Sequence, residues 1–303
     1  MSVIRFEEKI SFLTLLSSWD RFVKGKSKRK DVAIFERHLE DNLFELRDAL
    51  LDGSYHHSAY HEFHIFDPKH RLIHEAVVRD RVVHHFLQAQ LLPIFERAFV
   101  FDSYSCRDTK GTHAAVRRLQ TFARKVSKNY RESCWALKFD IRKFFDSVDH
   151  EILLQILQKK IPDPRMMKLV TNIVESFAVS EPIGGAVLGS RKHGVPIGNL
   201  TSQLFANVYM DAFDHFVKET LRQKFYLRYT DDVVILAQSR EELVELIPWI
   251  EGWLWGEPSI NASSKEARDS KTDARNRFSW ICRFAASSSA SNANQTKNVS
   301  ADQ

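Results

Sequence analysis

The chain has 303 residues, 44% of them apolar, which is enough for one large core or two modest ones. A net charge of +5 and a pI near 9.0 point to an anionic partner. No apolar run is long enough to span a membrane, and three scattered cysteines without CxxC spacing argue against a disulfide scaffold and for a reducing, cytoplasmic compartment.

In chain order, residues 5–51 read as two helices. One apolar stripe holds Phe12, Leu15, Leu16 and Trp19; the other holds Phe35, Leu39, Leu43, Leu46 and Leu50, with Gly53 as the stop. Between them lies a basic run whose cations are Lys24, Lys26, Lys28, Arg29 and Lys30. It contains GKS but lacks the upstream glycine and preceding strand of a P-loop, so a solvated or phosphate-contacting loop is expected. Among the thirteen histidines, His56, His57, His61 and His64 have no HExxH spacing and no cysteine partners, and are read as solvated or core.

Tyr60–Asp67 alternates as a strand, Pro68–Arg71 reads as a turn, and Leu72–Phe95 reads as a helix ending just after Pro93. Ser103–His113 (SYSCRDTKGTH) is a polar loop that, taken alone, reads more often as a plain surface loop, although Arg107, Lys110 and the flexible Gly111 can wrap a triphosphate. Cys134–His150 begins as an alternating strand that ends in Asp140; Asp149 is expected to cap a helix at Glu151–Lys160, and Asp146 is likewise read as a cap. Gly184–Gly198 is rich in turn residues, and Ser202–Lys218 is an amphipathic helix whose leading end would offer N–H groups to an anion.

The chemistry concentrates in Phe225–Gln238, FYLRYTDDVVILAQ. Two β-prone runs flank a turn carrying Asp231 and Asp232. An isolated Asp pair at a hairpin tip is most often turn chemistry alone. Here a strand ending in Asp140 lies upstream. If the strands are neighbours, three carboxylates meet at one sheet edge, an arrangement that repels itself unless divalent cations fill it.

This order of parts resembles a reverse transcriptase over roughly Trp19 to Trp255. PKHRLI and SYSCRDTKGTH resemble the first fingers motifs, FDIRKFFDSVDH the first palm aspartate motif and YTDD the catalytic hairpin. GVPIGNLTSQ, read as IGxxxSQ where most relatives carry QGxxxSP, resembles the enzymes of diversity-generating retroelements, within the group II intron-like superfamily. The resemblance implies an α+β right-hand polymerase whose antiparallel palm sheet carries the catalytic carboxylates. It implies an N-terminal helical extension at 1–59, fingers at 60–133, and a palm at 134–255 with a fingers/palm segment at 180–203. It further implies two Mg²⁺ ions, for which Mn²⁺ could substitute, on Asp140, Asp231 and Asp232, with the Ile141 carbonyl lending a further oxygen. Arg107, Lys110, Phe145, Ile197, Gly198 and Gln203 would meet the dNTP, Phe145 as the gate against ribose. Phe144 and Phe145 are taken as neighbours on a strand, one facing inward. Lys24, Lys26, Lys28, Arg29, Lys30 and Arg71 would meet nucleic acid. The partners implied are template RNA, a DNA or RNA primer and a small basic accessory variability protein, with no membrane, in a bacterial or phage-encoded setting.

Competing readings are a defence-associated or intron-type reverse transcriptase, and a catalytically dead nucleic-acid-binding remnant. Residues 256–303 depart from the pattern: a Ser/Asn/Ala-rich tail, expected to be unstructured, stands where the resemblance implies a thumb, and Lys265 and Lys271 lack the neighbours of the motif lysine. The thumb is expected to be truncated or read in a shifted frame. Sliding the codons of Asn276–Arg283 forward by one nucleotide permits IDFLGYV, the strand the resemblance implies next.

Overall fold

The computed structural model describes residues 6–66, 70–179, 192–255 and 281–283. The N-terminal segment folds as α1 (Phe6–Lys9), α2 (Phe12–Val23), α3 (Lys30–Glu36) and α4 (Leu39–Asp52). Ser11 and Thr14 form a reciprocal capping box that starts α2. The expected second helix is broken at Arg37–His38, because His38 leaves helical geometry at φ −124°, ψ 38°. Gly53 closes α4 in the left-handed region at φ 79°, where a glycine costs least.

Two strands follow, β1 (His61–Ile65) and β2 (Arg71–Glu75), antiparallel with His61 opposite Glu75 and Ile65 opposite Arg71. The expected helix from Leu72 is therefore corrected: α5 runs only over Val78–Phe95. Residues 72–75 gain a ladder against β1, and that pairing overrides a local helical pattern. The expected turn at Pro68–Arg71 falls partly on residues 67–69, outside the described residues.

A second sheet holds β3 (Trp135–Phe139), β4 (Tyr226–Tyr229), β5 (Asp232–Ala237) and β6 (Ile281–Arg283) in the order β4-β5-β3-β6, antiparallel throughout. Period-two alternation splits its residues between two cores. Leu137, Phe139, Tyr226, Val233 and Ile235 face the larger one, with α5, α8 (His150–Gln158) and α10 (Leu200–His215). Ala136, Leu227 and Leu236 face a smaller one with Phe122, Ala123 and Val126 of α6 (Thr112–Val126), whose first residues, Thr112 and His113, correct the end of the expected loop at Ser103–His113. In α5, Val82, Val83, Phe86, Leu87 and Leu91 are wholly buried, joining the N-terminal helices to the sheet in one continuous core.

The short helix α7 (Phe144–Ser147) precedes α8, which Asp149 caps as expected, accepting from the Ile152 N–H at 3.1 Å. Asp163 caps a further helix, α9 (Pro164–Glu175). α10 begins two residues before the expected Ser202 and passes into a π-helical stretch at Phe216–Thr220. α11 (Arg240–Trp255) follows the hairpin. Within the supposedly unstructured tail, Ile281–Arg283 instead pairs with β3, Ala136 opposite Cys282, and so covers an otherwise open strand edge. The rest of 256–303, with Lys265 and Lys271, and most of the turn-rich stretch at 184–198 lie outside the described residues. Among the described residues no helix is long and apolar enough to cross a membrane.

Candidate active site

Register alone gathers the three aspartates. Tyr229 pairs with Asp232, so only Thr230 and Asp231 form the turn between β4 and β5. Phe139 pairs with Val233 across β3 and β5, and the next step along both strands sets Asp140 beside Asp232. Asp140 and Asp232 are exposed, while Asp231 is half-buried. Burial pushes the Asp231 carboxyl above the ordinary carboxylate range, and the charges of Asp232 and Asp140 push it further. A backbone N–H bond and the positive field of Arg71, an exposed residue of β2, act the other way. Lys138 lies 3.6 Å from Asp232.

The donors gathered here are carboxylate oxygens, which suit hard divalent cations such as Mg²⁺ and not thiolate- or imidazole-seeking metals. They do not form a closed cage: among the described residues no three His, Cys, Asp or Glu side chains come close enough to hold an ion by themselves. Mg²⁺ commonly takes only one or two protein carboxylates and fills its shell with water and substrate phosphate. The Ile141 carbonyl already accepts from the Phe144 N–H at 3.1 Å, leaving one lone pair.

The expected nucleotide contacts are placed unevenly. Phe144 and Phe145 sit on a short helical turn, Phe144–Ser147, and not on a strand; even so Phe144 is buried and Phe145 only half-buried, their rings 5.5 Å apart. Arg107 is committed within the protein: Nε and Nη2 hold Glu96, and Nη1 donates to the carbonyls of Val100 and Ser103. Lys110 donates to the Phe101 carbonyl at 2.7 Å and lies 3.4 Å from the centre of the Phe101 ring. Burial lowers its ammonium pKa. The Ile197 carbonyl accepts from His74 N–H at 2.9 Å, and the Asn199 side chain clasps β2 by accepting from Ala76 N–H and donating to the His74 carbonyl. Gly198 lies at φ +112°, where a Cβ would come within 2.7 Å of Ile73 Cγ2, so only glycine fits. Gln203 is exposed and accepts from the Cys106 thiol.

In the basic run, Arg29 pairs with Glu75 at 2.8 Å and Lys26 donates to the Phe22 carbonyl, while Lys24, Lys28 and Lys30 are exposed. His57 is buried as expected of a core histidine, its Nε2 3.1 Å from His84 Nε2 and its Nδ1 3.8 Å from buried Asp80.

Sequence reasoning missed the support beneath the aspartate turn. Arg228 and Asp214 form a fully buried, forked ion pair, and Tyr226 also donates to Asp214. Asn207, one helical face from Asp214 on α10, accepts from Arg228 at 3.2 Å. Asn207 and Asp214, seven apart and so on one face of a largely apolar helix, are the signal that could have revealed it. Thr230 lies at φ 56°, a region that β-branched residues avoid; such strain costs about 1–3 kcal/mol. It is offset by bonds from Arg228 Nη1 to the Thr230 carbonyl (2.8 Å) and from the Thr230 hydroxyl to Ser105 Oγ (2.8 Å).

Residues 66–257 match the family described as reverse transcriptase (RNA-dependent DNA polymerase). The chain is 24% identical over 235 residues to Protein YkfC of Escherichia coli K12, covering 67% of this chain and 60% of that protein. It is 24% identical over 193 residues to the group II intron-encoded protein LtrA of Lactococcus lactis subsp. cremoris, covering 61% and 30%. It is 26% identical over 145 residues to the mitochondrial nuclear intron maturase 4 of Arabidopsis thaliana, covering 48% and 17%. The chain thus spans at most about three fifths of the length of these relatives. An aspartate hairpin on an antiparallel sheet, inside a match that covers most of the described residues, places this chain in the reverse transcriptase family.

Proposed function

We propose that the chain copies an RNA template into DNA from dNTPs. The observation that carries the reading is the strand register that sets Asp140 beside Asp232, with Asp231 next to it in the turn, within a reverse transcriptase match. Asp140 and Asp231, completed by Asp232, are the residues that would hold Mg²⁺, which supplies Lewis acidity for the primer 3′-hydroxyl and charge neutralisation for the leaving pyrophosphate. The other roles belong to the chain's own side chains. Phe145, half-buried beside buried Phe144, offers its ring against a ribose 2′-hydroxyl. Arg71 supplies positive charge toward Asp231 for the nucleic-acid backbone, and Lys110 would supply it to the triphosphate. Arg107 serves the same loop by tying it to Glu96 instead of reaching outward.

Within the family we favour the diversity-generating type, acting with template RNA, a primer and a small basic accessory protein. Ile197 is the residue behind this choice. A branched apolar side chain cannot hydrogen-bond the incoming nucleotide, so the fit of a correct pair is less strictly enforced. The likeness to intron-encoded proteins supports the second reading, an intron-type enzyme. Sequencing of cDNA separates them. The diversity-generating reading predicts errors concentrated opposite template adenines, reduced in Ile197→Gln; an even error spectrum that Ile197→Gln leaves unchanged favours the intron-type reading.

A further inference from the structure

The buried guanidinium of Arg228 does more than neutralise Asp214. Its Nε and Nη2 form the fork, each 2.7 Å from an Asp214 oxygen. Nη1 is thereby aimed away from Asp214, at the Thr230 carbonyl and Asn207 Oδ1. Thr230 is the residue whose left-handed backbone sets the turn, and Asp231 is bonded directly to that carbonyl carbon. The Arg228 main chain is fixed as well: its N–H donates to the Asp102 carbonyl at 3.0 Å and its carbonyl accepts from Tyr104 N–H at 2.9 Å. Asn207 Nδ2 reaches the Ser105 carbonyl at 2.8 Å, and the Thr230 hydroxyl reaches Ser105 Oγ. One network therefore ties the aspartate turn to α10 and to the stretch 102–105 that leads into Arg107 and Lys110.

A buried ion pair is a poor device for stability alone, since its desolvation cost often exceeds its gain. A planar fork with a third arm on a strained carbonyl is a good device for orientation. We propose that Arg228 is a positioning residue: its Nη1 holds the Thr230 carbonyl so that the Asp231 carboxylate is presented to a divalent cation in a fixed direction. This rests on the reading of Asp231 as a metal ligand. Lysine keeps a positive charge opposite Asp214 but offers one compact ammonium, which cannot serve Asp214 and Thr230 together.

The test uses the full chain and Mn²⁺ as the probe, with binding followed by electron paramagnetic resonance in the absence of nucleotide and nucleic acid. Thermal melting and the kcat and KM of primer extension are measured on the same preparations. Arg228→Lys should weaken Mn²⁺ binding and lower kcat by about 10–100-fold each, the usual effect of losing a group that orients a metal ligand. KM for dNTP should change by less than about threefold, since the loss falls on orientation and not on ground-state nucleotide binding. Asn207→Ala, which leaves the Asp214 fork intact, should shift both in the same direction by a smaller factor. A folded Arg228→Lys protein with wild-type Mn²⁺ affinity overturns the proposal; if that variant does not fold, wild-type affinity in Asn207→Ala overturns it. Failure of the underlying reading looks different: Mn²⁺ binding by the wild type would then be unaffected by Asp231→Ala.

Discussion

At the scale of single residues, the aspartate turn carries an electrostatic cost. Asp231 is held above its ordinary pKa first by burial and then by two neighbouring carboxylates. A carboxylate raised in the folded state contributes stability that is present below the unfolded pKa and is lost as pH rises through the folded value. In metal-free protein at neutral pH, Asp231 is therefore a destabilising group. We expect Asp231→Asn to raise the melting temperature in EDTA at pH 7, because it removes a charge that folding disfavours. The gain should vanish near pH 3, where both proteins carry a neutral group, and millimolar Mg²⁺ should stabilise the wild type more than the variant. A melting temperature lowered by Asp231→Asn at pH 7 would contradict the electrostatic account. The aspartates were legible in the sequence because acidic residues interrupt β-prone runs; Arg228 was not, because its partners Asp214 and Asn207 lie on a helix and only the fold brings them beneath the turn.

At the scale of elements, the hairpin, β3 and α10 follow from local patterns: alternation for the strands, an apolar stripe for the helix. β2 does not, since Arg71–Glu75 becomes a strand only by pairing with β1. The short turn at Phe144–Ser147 is equally hidden, as it follows Lys143 in left-handed geometry at φ 51°. β2 and the start of α10 lock together at one point, where Gly198 meets Ile73 and Asn199 clasps His74 and Ala76. Gly198→Ala should therefore cost more than about 1 kcal/mol, because alanine at positive φ is strained and its Cβ has no room. Urea unfolding at constant m-value measures it. A loss below a few tenths of a kcal/mol would mean that the junction yields.

At the scale of the whole molecule, a modest net charge of +5 hides an uneven distribution of usable cations. Sequence alone treats Lys24 through Lys30 as one patch, but the fold removes Arg29 to Glu75 and Lys26 to the Phe22 carbonyl, which no local pattern shows. Neutralising Lys24, Lys28 and Lys30 together should reduce the slope of log K against log salt for single-stranded RNA by about 2, at roughly 0.7 per phosphate contact. An unchanged slope would leave that loop facing water. The overall α+β character was legible from element order, and family membership from motifs in order. The contribution of Ile281–Arg283 to the second sheet was not, because its partner β3 lies far back in the chain.

We propose that the Asp140, Asp231 and Asp232 edge catalyses RNA-templated DNA synthesis. The most direct test is extension of a primer on an RNA template with dNTPs and Mg²⁺, comparing wild type with Asp231→Asn under conditions where both are folded. Losing a metal ligand should remove several kcal/mol of transition-state stabilisation, lowering the rate by about a thousandfold or more. Extension by Asp231→Asn at the wild-type rate would contradict the account.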